Sequence, residues 1–135
     1  MLEFSPIGII RNEFAETKDP DTLKAAESRV IVDEEYADGL DSIEESEYLK
    51  IVFHLHKSDD YTLIGPRRYG GVRGLFASRT PNRPNPIGVT LVKLIERQGR
   101  ELLVTGLDAI DKTPLLDIKP YAAEIDAPEE KFSDD

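Results

Sequence analysis

Tyr48-Leu-Lys-Ile-Val-Phe-His-Leu-His56 is the stretch whose reading decides the fold. Leu49, Ile51, Phe53 and Leu55 fall on one side of an extended chain, and Lys50, Val52, His54 and His56 on the other, because successive side chains of a strand point to opposite faces. This alternation predicts a strand with one face in a core and the other in water. Lys57-Ser-Asp-Asp60 ends it with turn-forming residues.

Working outward, Ile7-Gly-Ile-Ile-Arg11 reads as a first strand and Ser28 to Asp33, containing Arg-Val-Ile-Val, as a second. Lys18-Asp-Pro-Asp21 and Asp38-Gly39 are turn chemistry, and the acidic Asp41 to Glu47 has room for one helical turn. Leu75 to Ser78 reads as a strand. Ile87 to Glu96 and Glu101 to Leu107 form a hairpin around Gln98-Gly99, and Leu115 to Ile118 is a final strand. Short strands in this number, with room only for short helical pieces, predict a mainly β fold. The expected architecture is a single small β-barrel of short, mostly antiparallel strands with little helix, closed so that its edges are hidden. The barrel is expected over residues 1–121. Residues 122–135 hold six acids and one lysine, the composition of a poorly ordered, solvated tail.

The 135 residues suit one domain and contain no cysteine, which excludes a disulfide scaffold, a thiolate metal site and a cysteine nucleophile. No apolar run is long enough to span a bilayer and no basic leader opens the chain; a soluble, cytoplasmic protein with no membrane partner is expected. The net charge of −10 argues against nucleic acid on average. The average hides a sorting of charge, because residues 61–95 contain Arg67, Arg68, Arg73, Arg79, Arg83 and Lys93 and no acid. The remaining 100 residues then carry 11 basic and 27 acidic groups. A basic band on an acidic body attracts a polyanion to one place and repels it elsewhere.

Inside that band lies Gly71-Val-Arg-Gly-Leu-Phe-Ala-Ser-Arg-Thr-Pro-Asn-Arg-Pro-Asn-Pro-Ile-Gly88, preceded by a further glycine at 70. Each of Pro81, Pro84 and Pro86 fixes its own φ and pushes the residue before it into an extended shape. The result is a stiff ribbon. Proline also lacks a donor, so neighbouring carbonyls are expected to be free for a ligand's N–H groups. Arg73, Arg79 and Arg83 offer planar forks to a carboxylate, a phosphate or an aromatic face. The plainer alternative is a rigid turn with its arginines solvated outside.

Chemistry is expected on Asp117-Ile-Lys-Pro-Tyr121, where alternation puts Asp117, Lys119 and Tyr121 on one face. Asp117 near a substrate nitrogen can accept a proton, and Lys119 can hold developing negative charge. A surface ion pair beside a core strand fits the same residues. Asp108 and Asp111 flank a turn, where carboxylates hold ligand hydroxyls or satisfy their own backbone. His54 and His56 form an H-x-H on one strand face, a spacing open to a metal, but no third ligand follows. Neutral pocket histidines, with no metal, are the expectation.

Gly74-Leu-Phe-Ala-Ser-Arg79 with Arg83-Pro-Asn-Pro-Ile-Gly88, then Asp111-Lys-Thr-Pro-Leu-Leu-Asp-Ile-Lys-Pro-Tyr121, and the opening Ile7-Gly-Ile-Ile-Arg11 resemble the motifs of the TsaA-like family, the TrmO-type tRNA adenine-N(6)-methyltransferases. The resemblance runs over most of residues 4–121. It implies a small β-barrel that uses S-adenosylmethionine outside the usual nucleotide folds, and a homodimer with the cofactor near the subunit boundary. The implied partner is tRNA and the implied substrate N(6)-threonylcarbamoyladenosine, next to the anticodon. Carried onto this chain, it implies catalysis by Asp117, Lys119 and Tyr121, and cofactor contacts from His54, Leu55, Arg79, Arg83, Asn85, Val89, Asp108 and Asp111. Thr17-Lys-Asp19 departs from the Pro-Arg-Gln string of bacterial members. No glycine fingerprint of a Rossmann sheet is present, so the residues alone leave three other readings open. These are a non-catalytic RNA- or nucleotide-binding barrel, a metal-dependent cupin-like enzyme built on His54 and His56, and a module whose arginines dock an acidic partner.

Overall fold

The structure is a computed structural model that describes residues 1–16, 20–68 and 70–133. Six strands close into an antiparallel barrel. They are β1 (Gly8–Arg11), β2 (Glu27–Val32), β3 (Tyr48–His54), β6 (Ile87–Gln98), β7 (Glu101–Thr105) and β8 (Thr113–Pro120). Their order around the barrel is β1, β2, β7, β6, β3, β8, and β8 pairs back onto β1. Between β3 and β6, β4 (Ile64–Pro66) and β5 (Val72–Gly74) form a separate two-stranded sheet.

The alternation in β3 is realised: Leu49, Ile51 and Phe53 are buried, and Tyr48, Lys50, Val52 and His54 face outward with partial exposure. Ile10, Val30, Val32, Leu102, Val104 and Leu115 complete the interior from the other strands. Two polar side chains lie among them with their needs met. Ser28 accepts from the Asn12 amide at 3.1 Å, and Thr113 donates to the Ile110 carbonyl at 2.7 Å.

The hairpin β6–β7 turns where expected, at Gly99 with φ +61°, a conformation that glycine adopts without steric cost. Gly88 is needed for space. A Cβ there would lie 2.5 Å from Cε2 of Phe53, inside the ring's van der Waals surface. Gly88→Ala is therefore expected to destabilise the fold by about 1–3 kcal/mol, the usual cost of overpacking. Thermal denaturation checks it, with partial rescue expected from Phe53→Leu.

Several elements differ from the sequence reading. Leu75–Ala77 is a 3₁₀ turn and not a strand, because Ser78 folds back: its N–H and hydroxyl both donate to the Leu75 carbonyl, at 3.1 and 2.7 Å. That turn buries Leu75, at 1% exposure. Glu34–Leu40 forms a 3₁₀ helix, where only a turn at Asp38-Gly39 was expected. The short helix α1 (Pro20–Ala25) anchors itself through Leu23, 2% exposed. Much of the Lys18–Asp21 turn, and the departure at Thr17–Asp19, lies outside the described residues.

Where a solvated tail was expected, the chain makes two helical turns, α2 (Ala123–Asp126) and α3 (Pro128–Lys131). Asp126 explains why. One carboxylate oxygen accepts the Ala122 N–H at 2.9 Å and the other pairs with Lys50 of β3 at 3.0 Å. Those contacts, with Lys50 a lesser cause than the Ala122 N–H, hold the Asp126 carboxyl below its ordinary value.

Candidate active site

Register places the outward side chains of β6, β3 and β8 in rows. Val89 faces Val52, which faces Asp117; Leu91 faces Lys50, which faces Lys119; Lys93 faces Tyr48. Tyr121 extends the last row. Its N–H donates to the Tyr48 carbonyl at 3.0 Å, and the two rings meet edge to face with centroids 6.2 Å apart.

Asp117 owes its outward direction to a bulge. Phe53 pairs with Leu115 and Val52 with Asp117, so Leu116 is the extra residue. Without it Leu115 and Asp117 would share a face, and burial of the one would bury the other. With it Leu115 is fully buried while the Asp117 side chain keeps 47% of its exposure. One Asp117 oxygen accepts the Ile118 N–H at 2.9 Å; the other pairs with Lys119 at 3.0 Å. The three expected catalytic residues thus share one outward strand face, with His54 on the neighbouring strand.

The proline ribbon, residues 78–86, is pinned at the end of β3. The Leu55 N–H donates to the Pro86 carbonyl at 2.7 Å, the Ile87 N–H to the Asn85 carbonyl at 2.8 Å, and the Asp59 N–H to the Asn82 side chain at 2.8 Å. The expectation that ribbon carbonyls stand free is corrected in part, because the protein's own arginines use several of them. Arg83 donates to the Ser78 and Thr80 carbonyls at 3.1 and 3.0 Å and lies 6.0 Å from the ring of Phe76. Arg79 donates to the Val89 carbonyl at 3.0 Å. Upstream, Arg73 and Arg67 likewise donate to backbone carbonyls.

Carbonyl bonding holds these forks in place and leaves their charge intact. Among the described residues, none of the five ion pairs brings a carboxylate to Arg67, Arg73, Arg79 or Arg83. Arg67, Arg73, Arg79 and Arg83 are thus held by carbonyls with no carboxylate beside them among the described residues. Through the Val89 carbonyl, Arg79 is tied to β6 at the level of the row that ends at Asp117.

The two turn carboxylates lie apart from this face. Asp108 accepts from the Thr90 hydroxyl at 2.6 Å, and Thr90 pairs with buried Ile51 on the inward side of β6. Asp111 sits by β1, accepting from Arg11 at 2.9 Å and from the Asn12 N–H at 3.0 Å. A groove of roughly 540 Å³ runs between β8 and residues 35–46, with Asp117, Ile118 and Pro120 as one wall and Glu35, Asp38 and Asp41 on its rim. Among the expected site residues only Asp117 lines it. The ribbon and its arginines face open surface instead.

Residues 9–127 match the family described as tRNA-methyltransferase O N-terminal domain. The chain belongs to this family. A probable S-adenosyl-L-methionine-binding protein of Pyrococcus abyssi is 41% identical over 134 residues, 96% of this chain and 73% of that protein. An S-adenosyl-L-methionine-binding protein of Archaeoglobus fulgidus is 37% identical, with 90% of each chain covered. The tRNA (adenine(37)-N6)-methyltransferase of Mus musculus is 42% identical over 91 residues, 64% of this chain and 21% of the mouse protein. The crystal structure of TrmO from Pseudomonas aeruginosa superposes with a TM-score of 0.72 at 30% identity, over 94% of this chain and 58% of that one. The chain therefore spans under two thirds of the solved TrmO chain.

Within the TrmO-family barrel, two residues of the site region escaped sequence reading. Thr90 holds Asp108, and its role depends on a loop that packs beside β6 from 18 residues away. Phe76, 79% exposed, was read as part of a strand; its place among the ribbon's glycines and arginines was the available signal. His56 is held below its ordinary value, chiefly by burial and then by Lys57 and His54, and so is neutral at physiological pH. Among the described residues no group of three His, Cys, Asp or Glu is arranged to hold a metal.

Asp111 gives a prediction of its own. The Asn12 N–H, and behind it the Arg11 guanidinium, hold its carboxyl below the ordinary value against partial burial. A lowered folded-state value means that the unfolded chain binds the proton more readily, so the stabilisation is complete above about pH 4 and fades as pH falls through the folded value. Asp111→Asn is expected to be less stable than the parent at pH 7, with the gap narrowing below about pH 4. Urea titrations at several pH values measure it.

Proposed function

We propose that the chain is an S-adenosylmethionine-dependent methyltransferase that methylates the N(6) nitrogen of threonylcarbamoyladenosine beside the anticodon of tRNA. We place it in the cytoplasm, working as a homodimer with the site near the subunit boundary. Residues 1–121 are the catalytic barrel and 122–135 an appended acidic segment. The observation that carries the reading is Asp117, turned outward by a bulge and paired with Lys119, at the level of β6 where the Val89 carbonyl holds Arg79, which meets no carboxylate among the described residues. The family membership supports an enzyme over a barrel that only binds RNA. The openness of the ribbon face supports a second copy as its missing wall.

Of the residues expected to hold the cofactor, Arg79 and Arg83 suit a carboxylate, and Leu55 and Val89 with the His54 ring suit an uncharged body; Asn85 continues the ribbon that carries them. Asp108 and Asp111 suit hydroxyl or amino groups but lie apart from these residues, on Thr90 and on Arg11. When bound, S-adenosylmethionine supplies an electrophilic methyl group that needs alignment more than covalent help. The protein's part is to align the acceptor and take its proton. Asp117 accepts the hydrogen that leaves the acceptor nitrogen as the new N–C bond forms. Lys119 holds that carboxylate in position, and Tyr121 closes the site beside it. A guanidinium of the ribbon receives the carboxylate of the threonyl group.

Calorimetric titration tests the cofactor half of this reading. Saturable binding of S-adenosylmethionine, weakened in Arg79→Ala, is expected; no binding at millimolar concentration would overturn it.

A further inference from the structure

The outward face of β6, β3 and β8 carries more than the site. Beyond the row that ends at Asp117 lie Leu91, Lys50 and Lys119, and beyond those Lys93, Tyr48 and Tyr121. Tyr48 is 40% and Leu91 50% exposed. Lys50 and Lys119 are matched by Asp126 and Asp117, while Lys93 is exposed and meets no carboxylate among the described residues. The outer wall of the barrel thus presents two aromatic rings and an aliphatic step, with α2 held against Lys50 through Asp126, an unmatched ammonium at Lys93 of β6, and Arg79 on the Val89 carbonyl.

Resting on the methyltransferase reading, we propose that this face is the platform for single-stranded RNA, seating the unpaired nucleotides that flank the target adenosine. A base stacks on the exposed ring of Tyr48, and Lys93 takes a phosphate. The combination selects single strands, because unpaired bases offer faces to aromatic side chains while bases stacked in a duplex do not. A protein partner would meet the aliphatic residues equally well, but the unmatched cations at Lys93 and Arg79 favour a polyanion. The edge-to-face contact with Tyr121 braces the Tyr48 ring two rows from Asp117. A base on Tyr48 and an acceptor nitrogen at Asp117 are then four residues, about 13 Å, apart along β3 and one strand over.

The test uses binding, not turnover. An unmodified anticodon stem-loop RNA and a duplex of the same length are titrated by fluorescence anisotropy against the full chain carrying Asp117→Asn, without cofactor. Tyr48→Ala is expected to weaken stem-loop binding roughly 5- to 150-fold, and Tyr48→Phe to preserve it. Lys93→Ala is expected to lower the salt slope by about 0.7, the value for one single-strand phosphate. Arg29→Ala on β2 should change nothing. Equal affinity for stem-loop and duplex, or stem-loop binding in Tyr48→Ala that matches the parent, would overturn the proposal. So would a dimer that Leu91→Glu dissociates, since the face would then be a subunit contact. Because no methyl transfer enters the readout, an inactive enzyme and a misplaced RNA site give different results.

Discussion

Asp117→Asn is expected to lower the rate constant for methyl transfer by about 10²- to 10⁴-fold, the range over which a positioned proton acceptor acts. The substitution keeps the size of the side chain and removes its ability to take a proton. Its structural cost is expected to be small. The ion pair with Lys119 is exposed on both sides, 64% and 47%, and such pairs contribute about 0–1 kcal/mol. Affinity for S-adenosylmethionine should stay unchanged, because the arginine band and its carbonyl braces do not involve Asp117. Single-turnover kinetics with labelled cofactor separate these effects. A variant that turns over like the parent would remove Asp117 from the chemistry and leave alignment alone to account for the rate.

Ile51→Ala should be among the most damaging single changes to stability, at about 2–5 kcal/mol, the cost of removing a large buried aliphatic side chain. Ile51 is fully buried at the centre of β3 and lies opposite Thr90 on one side and Ile118 on the other. Shortening it opens a void under the strands that carry Asp117 and Val89. Against a total stability of roughly 5–15 kcal/mol for a domain of this kind, the loss lowers the denaturation midpoint visibly with an unchanged denaturant slope. Val52→Ala, one residue away on the outward face, is expected to cost much less. Equal effects at the two positions would mean that the inward and outward faces of β3 are misassigned.

The contrast between Ile51 and Val52 shows what the sequence makes legible. Alternation along Tyr48–His54 is a local property of the backbone, so the faces of β3 are readable before any partner strand is known. The bulge at Leu116 is not. Strict alternation sets Asp117, Lys119 and Tyr121 on one face correctly, yet it also places Leu115 with them, and only pairing with Phe53 and Val52 shows that Leu115 is buried. The hairpin of β4 and β5 was missed because its Ile64 and Val72 are 73% and 70% exposed, so no core face marks them in the sequence. The acid-free band was readable as charge. That its arginines would bind carbonyls of their own loop was not, since those contacts depend on how the prolines turn the chain. The helical turn Ala123–Asp126 is tied to the barrel by one long-range pair, Lys50 with Asp126, which composition does not reveal.

The central claim is that this barrel face transfers a methyl group to tRNA. The most direct measurement incubates the purified chain with tRNA containing threonylcarbamoyladenosine and with S-adenosylmethionine carrying a labelled methyl group, then resolves the nucleosides by mass spectrometry. The account predicts that label appears on threonylcarbamoyladenosine with the parent and is lost with Asp117→Asn. Nucleosides unchanged by the parent, under conditions where calorimetry shows the cofactor bound, would contradict it.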